Sequence, residues 1–353
     1  MTLGLVTEPG RGGTTRVAEV VDERSEGTVV LRPLEIGVCG TDREISEGHF
    51  GVPAEGGSLV LGHELLGVVE QDSRGFSRGD LVTATVRRSC GRCAACAAGS
   101  PDSCLTGEYS ERGITRLHGF ARELVAEDPN ELIPIPASLG RLGVLAEPAS
   151  VCARAIRHAR AIGGRQAWEL RRALVIGAGA VGMLATYLLR LDGVEVWTAA
   201  LEPERGSRAQ LAEAAGARYV STAVNPLGML RDEVGGFDLV IEAAGSAQVM
   251  AETLGLLRRS GVACVLGIDP RRQKVDIEGR VLALDMILEN RVLFGSVNAQ
   301  RQDWEAAVAG LDAARARWPG ALAEFVGLRV PLDRFQEAFD HRGSKATLVL
   351  ADD

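Results

Sequence analysis

The spacing of apolar and polar residues divides the chain into regions of different predicted structure. Over the first 150 residues, short apolar stretches such as Thr28–Leu34, Leu65–Glu70 and Leu81–Val86 are interrupted by Gly, Pro and Asp, which is typical of strands joined by loops. From Ala149 to Ala161, apolar residues recur at intervals of three and four with arginines between them. That spacing predicts a helix.

Beyond Arg172 the pattern alternates between short apolar runs and amphipathic stretches. The predicted strands are Ala173–Ile176, Val194–Trp197, Arg218–Val220, Asp238–Ile241 and Val262–Ile268. The predicted helices are the stretch that ends at Arg190, Arg205–Ala215 and Ala247–Leu257. Such alternation predicts a doubly wound parallel sheet with helices on both faces. A helix at Trp304–Arg317 and a β-like stretch at Lys345–Leu350 follow.

This change of pattern predicts two domains and an α/β fold class. Residues 1–150 and 299–353 would form a β-rich domain. Residues 151–298 would form a dinucleotide-binding domain inserted into it. A length of 353 residues agrees with two domains of ordinary size.

Composition and charge exclude several classes of protein. The net charge of −8 argues against a nucleic-acid partner, and a hydrophobic content of 46% argues against a disordered chain. The N-terminus has no signal-peptide pattern, and the longest uncharged apolar run, Ala173–Leu189, is at the lower limit for a membrane span. A cytoplasmic protein with neither a membrane nor a nucleic-acid partner is expected.

Lys274 and Lys345 are the only lysines, since the other 37 of the 39 basic residues are arginine.

Cysteine is the most informative residue type. Four of the seven cysteines lie within fifteen residues, an arrangement typical of metal binding in a reducing compartment. This four-cysteine segment contains Cys90, Cys93, Cys96 and Cys104. Four thiolates favour a structural zinc with a closed set of ligands, and an iron–sulfur cluster or free thiols are the alternatives. Cys152 and Cys264 lie in apolar sequence and are expected in the core.

A glycine-rich loop follows the first strand of the predicted parallel sheet. It consists of Gly177, Ala178, Gly179, Ala180, Val181 and Gly182. A strand, the G-x-G-x-x-G spacing and a helix together predict dinucleotide binding, in which the helix N-terminus receives the pyrophosphate. Glu202 lies where an acid would hold the ribose hydroxyls of NAD, whereas Arg205 and Arg208 offer partners for the extra phosphate of NADP. NAD is favoured and NADP is the alternative. A third interpretation is that all three residues are solvated charges at the start of a helix.

Three short segments supply further metal ligands. Cys39, the pair His63 and Glu64, and Glu147 bring thiolate, imidazole and carboxylate groups. Taken singly, such residues are most often ordinary core or structural residues. Together they form the ligand set of a catalytic zinc that keeps one position open for water or substrate.

The motifs occur in an order that resembles a known family. Cys-Gly-Thr-Asp at 39–42, Gly-His-Glu-x2-Gly at 62–67, the four-cysteine segment and the glycine-rich loop follow one another as in the zinc-dependent medium-chain alcohol dehydrogenases. Segments such as Thr-Gly-Glu-Tyr at 106–109 and Ser-Val-Asn at 296–298 are most similar to the archaeal and bacterial glucose dehydrogenases. The resemblance covers essentially the whole chain. It implies a GroES-like catalytic domain and a Rossmann nucleotide-binding domain.

The resemblance also implies roles for individual residues. Cys39 and His63 would bind the catalytic zinc, and Glu64, Glu147 or both would complete its ligands, directly or through water. The hydroxyl of Thr41 would take the proton of the alcohol. The four-cysteine segment would bind the structural zinc.

At the substrate positions the resemblance to the sugar enzymes is incomplete. It implies that Asn298 lies near the nicotinamide and that Glu111 accepts hydrogen bonds from substrate hydroxyls. The sugar enzymes have asparagine at the position of Val86 and histidine at that of Leu288, and both contact glucose. Losing these polar partners would cost roughly 1–3 kcal/mol for each unpaired hydroxyl, which is enough to change the preferred substrate.

The function expected from the sequence is hydride transfer from a secondary or hemiacetal hydroxyl of a sugar, polyol or aminocyclitol to NAD(P). A dehydrogenase of a less polar alcohol or amino alcohol is the alternative, favoured by Val86 and Leu288. A zinc- and nucleotide-binding protein without catalysis is disfavoured, because the ligands, Thr41 and the loop are all present. The resemblance also implies a homodimer or homotetramer.

Overall fold

The chain forms two compact units, described here from a computed structural model that covers residues 1–21, 26–269, 271 and 273–351. The first unit contains residues 1–150, 298–312 and those from 326 onwards, and the second contains 151–297 and 313–325. The segment 313–325 thus belongs to the second unit, whereas the sequence pattern assigned it to the first. Its aromatic rings explain this, because Trp318 and Phe325 meet the ring of Tyr187 edge-on at centroid distances of 5.5 and 6.4 Å.

The strands and helices are named in chain order. The strands are β1 (Thr2–Thr7), β2 (Arg16–Val20), β3 (Val29–Val38), β4 (Leu59–Val60), β5 (Glu64–Val69), β6 (Leu81–Ala84), β7 (Arg87–Arg88), β8 (Ser110–Arg112), β9 (Arg116–Leu117), β10 (Val125–Glu127), β11 (Leu132–Pro134), β12 (Arg172–Ile176), β13 (Glu195–Ala200), β14 (Arg218–Ser221), β15 (Phe237–Glu242), β16 (Leu257–Val265), β17 (Val292–Gly295), β18 (Val326–Pro331) and β19 (Lys345–Val349). The α-helices are α1 (Gly40–Ser46), α2 (Ala94–Ala97), α3 (Ala146–Gly163), α4 (Ala180–Leu191), α5 (Ser207–Ala214), α6 (Leu227–Val234), α7 (Ala247–Leu256), α8 (Met286–Leu288), α9 (Arg301–Arg317), α10 (Pro319–Ala323) and α11 (Phe335–Asp340). No described helix is long and apolar enough to cross a membrane.

In the first unit, strand β3 lies at the centre of the main sheet. The strand order is β11-β6-β5-β3-β19-β18, and β10 pairs with the N-terminal part of β3. Both β5 and β19 run antiparallel to β3, so Gly37 lies opposite Glu64 on one side and Thr347 on the other. This pairing brings the two strands that carry Glu64 and Lys345 to the end of β3, where Cys39 follows.

The core of the first unit surrounds this sheet. Leu31 and Ile36 of β3 pack with Leu65 of β5, Phe120 and Leu348 of β19, and all five are buried. Nine of the ten residues of β3 are buried, as expected for a strand covered on both faces. The strand end that carries Cys39 is therefore held by a packed core.

The second unit is built on a parallel sheet. Its strand order is β14-β13-β12-β15-β16-β17, with the described pairs parallel throughout. This order reverses at β12, which makes the carboxyl end of β12 the topological switch point where open α/β sheets bind ligands. Strand β15 is buried along its whole length. The predicted fold class is confirmed.

Candidate functional site

The thiol of Cys39 is fixed by the start of helix α1. Cys39 precedes the helix, and its Sγ accepts the backbone N–H of Thr41 at 3.2 Å. In return, Oδ2 of Asp42 accepts the backbone N–H of Cys39 at 3.0 Å. This reciprocal capping satisfies two backbone donors that the helix itself cannot pair. The cap thus fixes the position of the sulfur at the N-terminus of α1.

His63 lies directly beside this thiol. Its Nε2 is 3.1 Å from Sγ of Cys39, and its Nδ1 is 3.4 Å from Oδ1 of Asp42. Both His63 and Asp42 are buried. Burial opposes the ionised form of Asp42, but the charge and hydrogen bond of His63, the N–H of Cys39 and the charge of Lys345 together lower the Asp42 pKa. A carboxylate behind a histidine fixes the ring orientation and directs the other nitrogen towards a metal.

Two glutamates complete the group around His63. One carboxylate oxygen each of Glu64 and Glu147 lies with a ring nitrogen of His63 in a cluster whose atoms are within 4.8 Å of one another. Glu64 also forms an ion pair with Lys345. Burial, opposed by the charge of His63 and reinforced by that of Glu64, raises the pKa of Glu147 to about 7.

These groups fit a zinc ion. Tetrahedral coordination at ordinary Zn–S and Zn–N lengths separates the two donor atoms by about 3.6 Å, close to the 3.1 Å between Cys39 and His63. The set contains one sulfur, one nitrogen and carboxylate oxygens, and catalytic zinc sites use three protein ligands of these kinds. Thr41, which is half-buried in the first turn of α1, carries the hydroxyl nearest in sequence to Cys39.

The four-cysteine segment forms a second candidate metal site in the first unit. The four sulfur atoms lie within 4.8 Å of one another, and the thiols are free. Sγ of Cys96 lies 3.9 Å from that of Cys90 and 3.4 Å from that of Cys93. Four sulfurs around one zinc are separated by about 3.8 Å, so the segment fits the metal. The Thr106 hydroxyl lowers the pKa of Cys90 to about 7, and the N–H of Leu105 lowers that of Cys93 to about 7.

The glycine-rich loop joins β12 to α4 in the second unit. Gly177 has a φ of +105°, which favours glycine. A Cβ on Gly182 would lie 1.8 Å from the carbonyl oxygen of Gly177, whereas a Cβ on Gly179 would meet nothing within 4 Å. Ala180 and Val181 form the first turn of α4, whose N–H groups lack partners within the helix. The loop thus leaves space and backbone donors for a pyrophosphate.

A cavity of about 680 Å³ opens beside this loop. Its wall includes Gly177, Gly179, Ala199, Glu202 and Arg208. Glu202 lies two residues beyond the end of β13, and its carboxylate forms an ion pair with Arg208. The volume is in the range of cofactor sites.

The other predicted residues lie in different surroundings. Val86 is buried, and its carbonyl accepts the N–H of Arg112 at 3.0 Å. Glu111 receives two hydrogen bonds from Arg87, at 3.0 and 2.8 Å. Leu288 ends helix α8 in the second unit and is 61% exposed.

Asn298 has a left-handed backbone with a φ of +66°. Its Oδ1 accepts the N–H of Ala299 at 2.8 Å, and its Nδ2 is buried with no hydrogen-bond partner among the described residues. A buried amide donor without a partner is costly. It fits a residue that pairs with a cofactor group.

The sequence did not identify three residues whose side chains form ion pairs with predicted site residues. They are Asp42, Lys345 and Arg87. The position of Asp42, three residues after Cys39, is the capping-box spacing and offered a signal. The partners of Lys345 and Arg87 come from strand pairing, for which a single sequence has no local signal.

Comparison with known proteins identifies the family. The profile described as "Alcohol dehydrogenase GroES-like domain" matches residues 25–137, and the one described as "Glucose dehydrogenase C-terminus" matches residues 140–351. The glucose 1-dehydrogenase of Methanocella arvoryzae is 40% identical to this chain, over 93% of each. That of Thermoproteus tenax is 38% identical, over 94% of each. The chain belongs to the glucose dehydrogenase family.

Solved structures agree with this assignment. The Haloferax mediterranei glucose dehydrogenase in complex with NADP, Zn and gluconolactone matches with a TM-score of 0.90, at 29% identity and 99% coverage of each chain. The L-idonate 5-dehydrogenase of Escherichia coli, at 20% identity and a TM-score of 0.81, shares the fold. The expected GroES-like and Rossmann architecture is confirmed. So is the expectation of an NAD(P)-dependent zinc dehydrogenase.

Proposed function

We propose that this glucose dehydrogenase family member oxidises a secondary or hemiacetal hydroxyl of a sugar. The observation that carries the proposal is His63, which belongs to two groups of possible metal ligands, one with Cys39 and Asp42 and one with Glu64 and Glu147. The names of the relatives support a sugar as substrate, since glucose 1-dehydrogenases are similar over nearly the whole chain.

Individual residues have different roles in the proposed reaction. Zinc held by Cys39, His63 and a glutamate would polarise the substrate hydroxyl and lower its pKa, and NAD(P) would accept the hydride. The Thr41 hydroxyl takes the substrate proton and passes it towards solvent. Asp42 keeps the His63 ring oriented. Asn298 donates its free amide N–H to the cofactor.

NAD is the proposed cofactor, and NADP is accepted less well. Glu202 lines the cavity beside the glycine-rich loop, where its charge would repel a 2′-phosphate and its oxygens would accept ribose hydroxyls. Arg208, which would favour the phosphate, is already paired with Glu202. NADP remains the competing cofactor because the Haloferax enzyme was solved in complex with it.

Two residues favour substrates other than glucose. Val86 and Leu288 are apolar at positions where the resemblance implies polar contacts to the sugar. Glu111 still offers a carboxylate, and only its Oε1 receives the described bonds from Arg87. A polyol or aminocyclitol with fewer hydroxyls to satisfy is the second candidate, and a less polar alcohol is the third.

A dimer is also proposed, with strand β17 at its interface. This strand is the last of its sheet and is paired with β16 alone among the described strands. Leu293 on β17 is 39% exposed, and the nearby Ile287 is 67% exposed. Apolar edge strands are templates for pairing with a second chain.

The proposed chemistry is tested with substrate panels and metal analysis. Wild type should reduce NAD(P) with an aldose, polyol or cyclitol, followed by absorbance of the reduced nicotinamide. Cys39→Ser should lose turnover and one of two bound zinc ions, while binding reduced cofactor normally. Cys264→Ala, which changes a core cysteine, should keep both metals and turnover. Full activity of Cys39→Ser after chelation would refute the zinc mechanism.

A further inference from the structure

A buried carboxylate lies at the carboxyl end of strand β15 in the second unit. Glu242 is the last residue of this strand and is fully buried. Its Oε1 accepts the backbone N–H groups of Ala244 and Gly245, both at 2.9 Å. Burial raises the pKa of Glu242, although backbone N–H groups, those of Ala244 and Gly245 among them, oppose the shift. The side chain thus serves as an acceptor for the loop that directly follows it.

This loop, which comprises residues 243–246, forms part of the wall of the cavity beside the glycine-rich loop. Ala243, Ala244 and Ser246 line this cavity of about 680 Å³ together with Gly177 and Gly179. A Cβ on Gly177 would lie 2.8 Å from the backbone nitrogen of Ala244, so the two loops approach each other closely. The position of residues 243–246 therefore sets the width of the cavity at this place.

The second carboxylate oxygen of Glu242 lies in different surroundings. Oε2 is buried and makes no hydrogen bond among the described residues. The nearby N–H of Gly267 is donated to the backbone carbonyl of Glu242 instead, at 3.1 Å. A Cβ on Gly267 would lie 2.6 Å from Oε2, so glycine leaves the room that the carboxylate needs. Since burial of an unpaired charged oxygen is costly, the useful property of this side chain is the acceptor at Oε1.

We propose that Glu242 is a positioning residue for the cofactor, which holds residues 243–246 in the arrangement that keeps the cavity open. It acts as a hydrogen-bond acceptor, and its negative charge is not needed for this role. This inference rests on the proposed binding of NAD(P) beside the glycine-rich loop. It adds a residue that supports the cofactor through the backbone of a neighbouring loop.

Asp238 offers a matched control on the same strand. It is also fully buried, and its Oδ2 accepts the backbone N–H groups of Arg171 and Arg172 at 3.0 and 2.9 Å. It lies near the amino end of β15, whereas open α/β sheets bind ligands at the carboxyl ends of their strands. Loss of this carboxylate should therefore cost stability without changing the cofactor cavity.

The first test removes each acceptor in turn. Glu242→Met and Asp238→Leu should both lower the free energy of unfolding in urea, since each leaves backbone N–H groups without a partner. Only Glu242→Met should weaken NADH binding in a fluorescence titration, by about tenfold, because the apparent affinity falls with the fraction of molecules whose loop is correctly placed. Its KM for NAD should rise likewise, while kcat at saturating NAD stays that of wild type. Equal weakening in both variants, or wild-type binding by Glu242→Met, would overturn the proposal.

The second test separates the acceptor from the charge. Glu242→Gln keeps an oxygen at the position of Oε1 and removes the charge, so it should bind NADH within roughly threefold of wild type. Glu242→Asp keeps the charge but draws the carboxylate back by one methylene, so it should bind NADH as weakly as Glu242→Met. The reverse order of these two variants would refute the acceptor role. If Glu242→Met does not fold, they decide.

The third test measures the loop itself by hydrogen exchange without cofactor. The amide hydrogens of Ala244 and Gly245 should exchange faster in Glu242→Met than in wild type, and at the wild-type rate in Asp238→Leu. Unchanged exchange in Glu242→Met would show that other contacts hold the loop, and would refute the positioning role. The proposed function fails on a different result, namely a wild type that binds neither NADH nor NADPH.

Discussion

Glu202 is the residue on which the choice between NAD and NADP is expected to depend. Neutralising it in Glu202→Gln removes the charge that repels a 2′-phosphate and releases Arg208 to bind that phosphate. We expect the ratio of kcat/KM for NADP to that for NAD to rise roughly tenfold, or about 1.4 kcal/mol. Glu204→Gln is the control, because Glu204 contacts Asn225 instead. An unchanged ratio in Glu202→Gln would assign cofactor choice to other residues.

Two glycines of the same loop have separable roles. Gly179→Ala adds a Cβ into open space, so the protein should keep its unfolding free energy while binding reduced cofactor more weakly. Gly182→Ala pushes a Cβ onto the Gly177 carbonyl and should cost about 1–3 kcal/mol of stability. Urea unfolding and fluorescence titration with NADH measure the two effects. Equal loss of stability in both variants would contradict this division.

Candidate ligands can be recognised in the sequence where their motifs are local. The four cysteines within fifteen residues, and Gly177, Gly179 and Gly182, needed only spacing to identify them. Lys345 and Glu64 are far apart in the chain and meet because β3 pairs with both of their strands. Such contacts depend on strand register, for which a single sequence has no periodic signal.

At the scale of elements, strand β7 connects the four-cysteine segment to β8. Arg87 on β7 bonds to Glu111 on β8 and donates to the carbonyl of Asp102, which lies between two of the cysteines. Its guanidinium also stacks 4.0 Å from the ring centroid of Tyr109. One side chain thus ties the proposed metal segment to the proposed substrate residue.

Replacing Arg87 should affect both the four-cysteine segment and the proposed substrate residue Glu111. Arg87→Met should cost about 1–3 kcal/mol, because it leaves the partly buried Glu111 without its partner, and should release the structural zinc faster to a chelator. It should also raise KM for the sugar more than it lowers kcat. Arg92→Met is the control, since the exposed pair of Arg92 and Glu108 is worth less than about 1 kcal/mol. Unchanged zinc release and KM would show that Arg87 serves stability alone.

The elements themselves were predictable to the extent that they carry a strong pattern. The strands and helices of the parallel sheet from β12 to α5 appear close to their expected bounds. Strand β16 begins at Leu257 instead of Val262, because Leu257 pairs with Phe237 before an irregularity in the register. Helix α6 and strand β17 were not predicted. Two of the four residues of β17 are exposed and two are half-buried, and four residues are too few to show a period.

For the whole molecule, removal of zinc should expose thiols in a defined order. Chelation should make the four-cysteine segment and Cys39 reactive to a thiol reagent at neutral pH. Cys264 should react only after unfolding, since burial raises its pKa to about 12, and Cys152 is buried as well. Counting reactive thiols before chelation, after chelation and in denaturant measures this. Reaction of Cys264 in the native, metal-loaded protein would contradict the structure.

The association of two copies is the remaining property of the whole molecule. If β17 forms the interface, Leu293→Lys puts a charge into it and should raise the dimer dissociation constant at least tenfold, about 1.4 kcal/mol. In light scattering over a dilution series, the measured mass of this variant should fall towards that of a monomer at a higher protein concentration than the mass of wild type does. Met229→Lys, at another exposed apolar position of the second unit, should leave the mass unchanged. A wild type that is monomeric at all concentrations, or an unaffected Leu293→Lys, would mean that the exposed edge of β17 has another use.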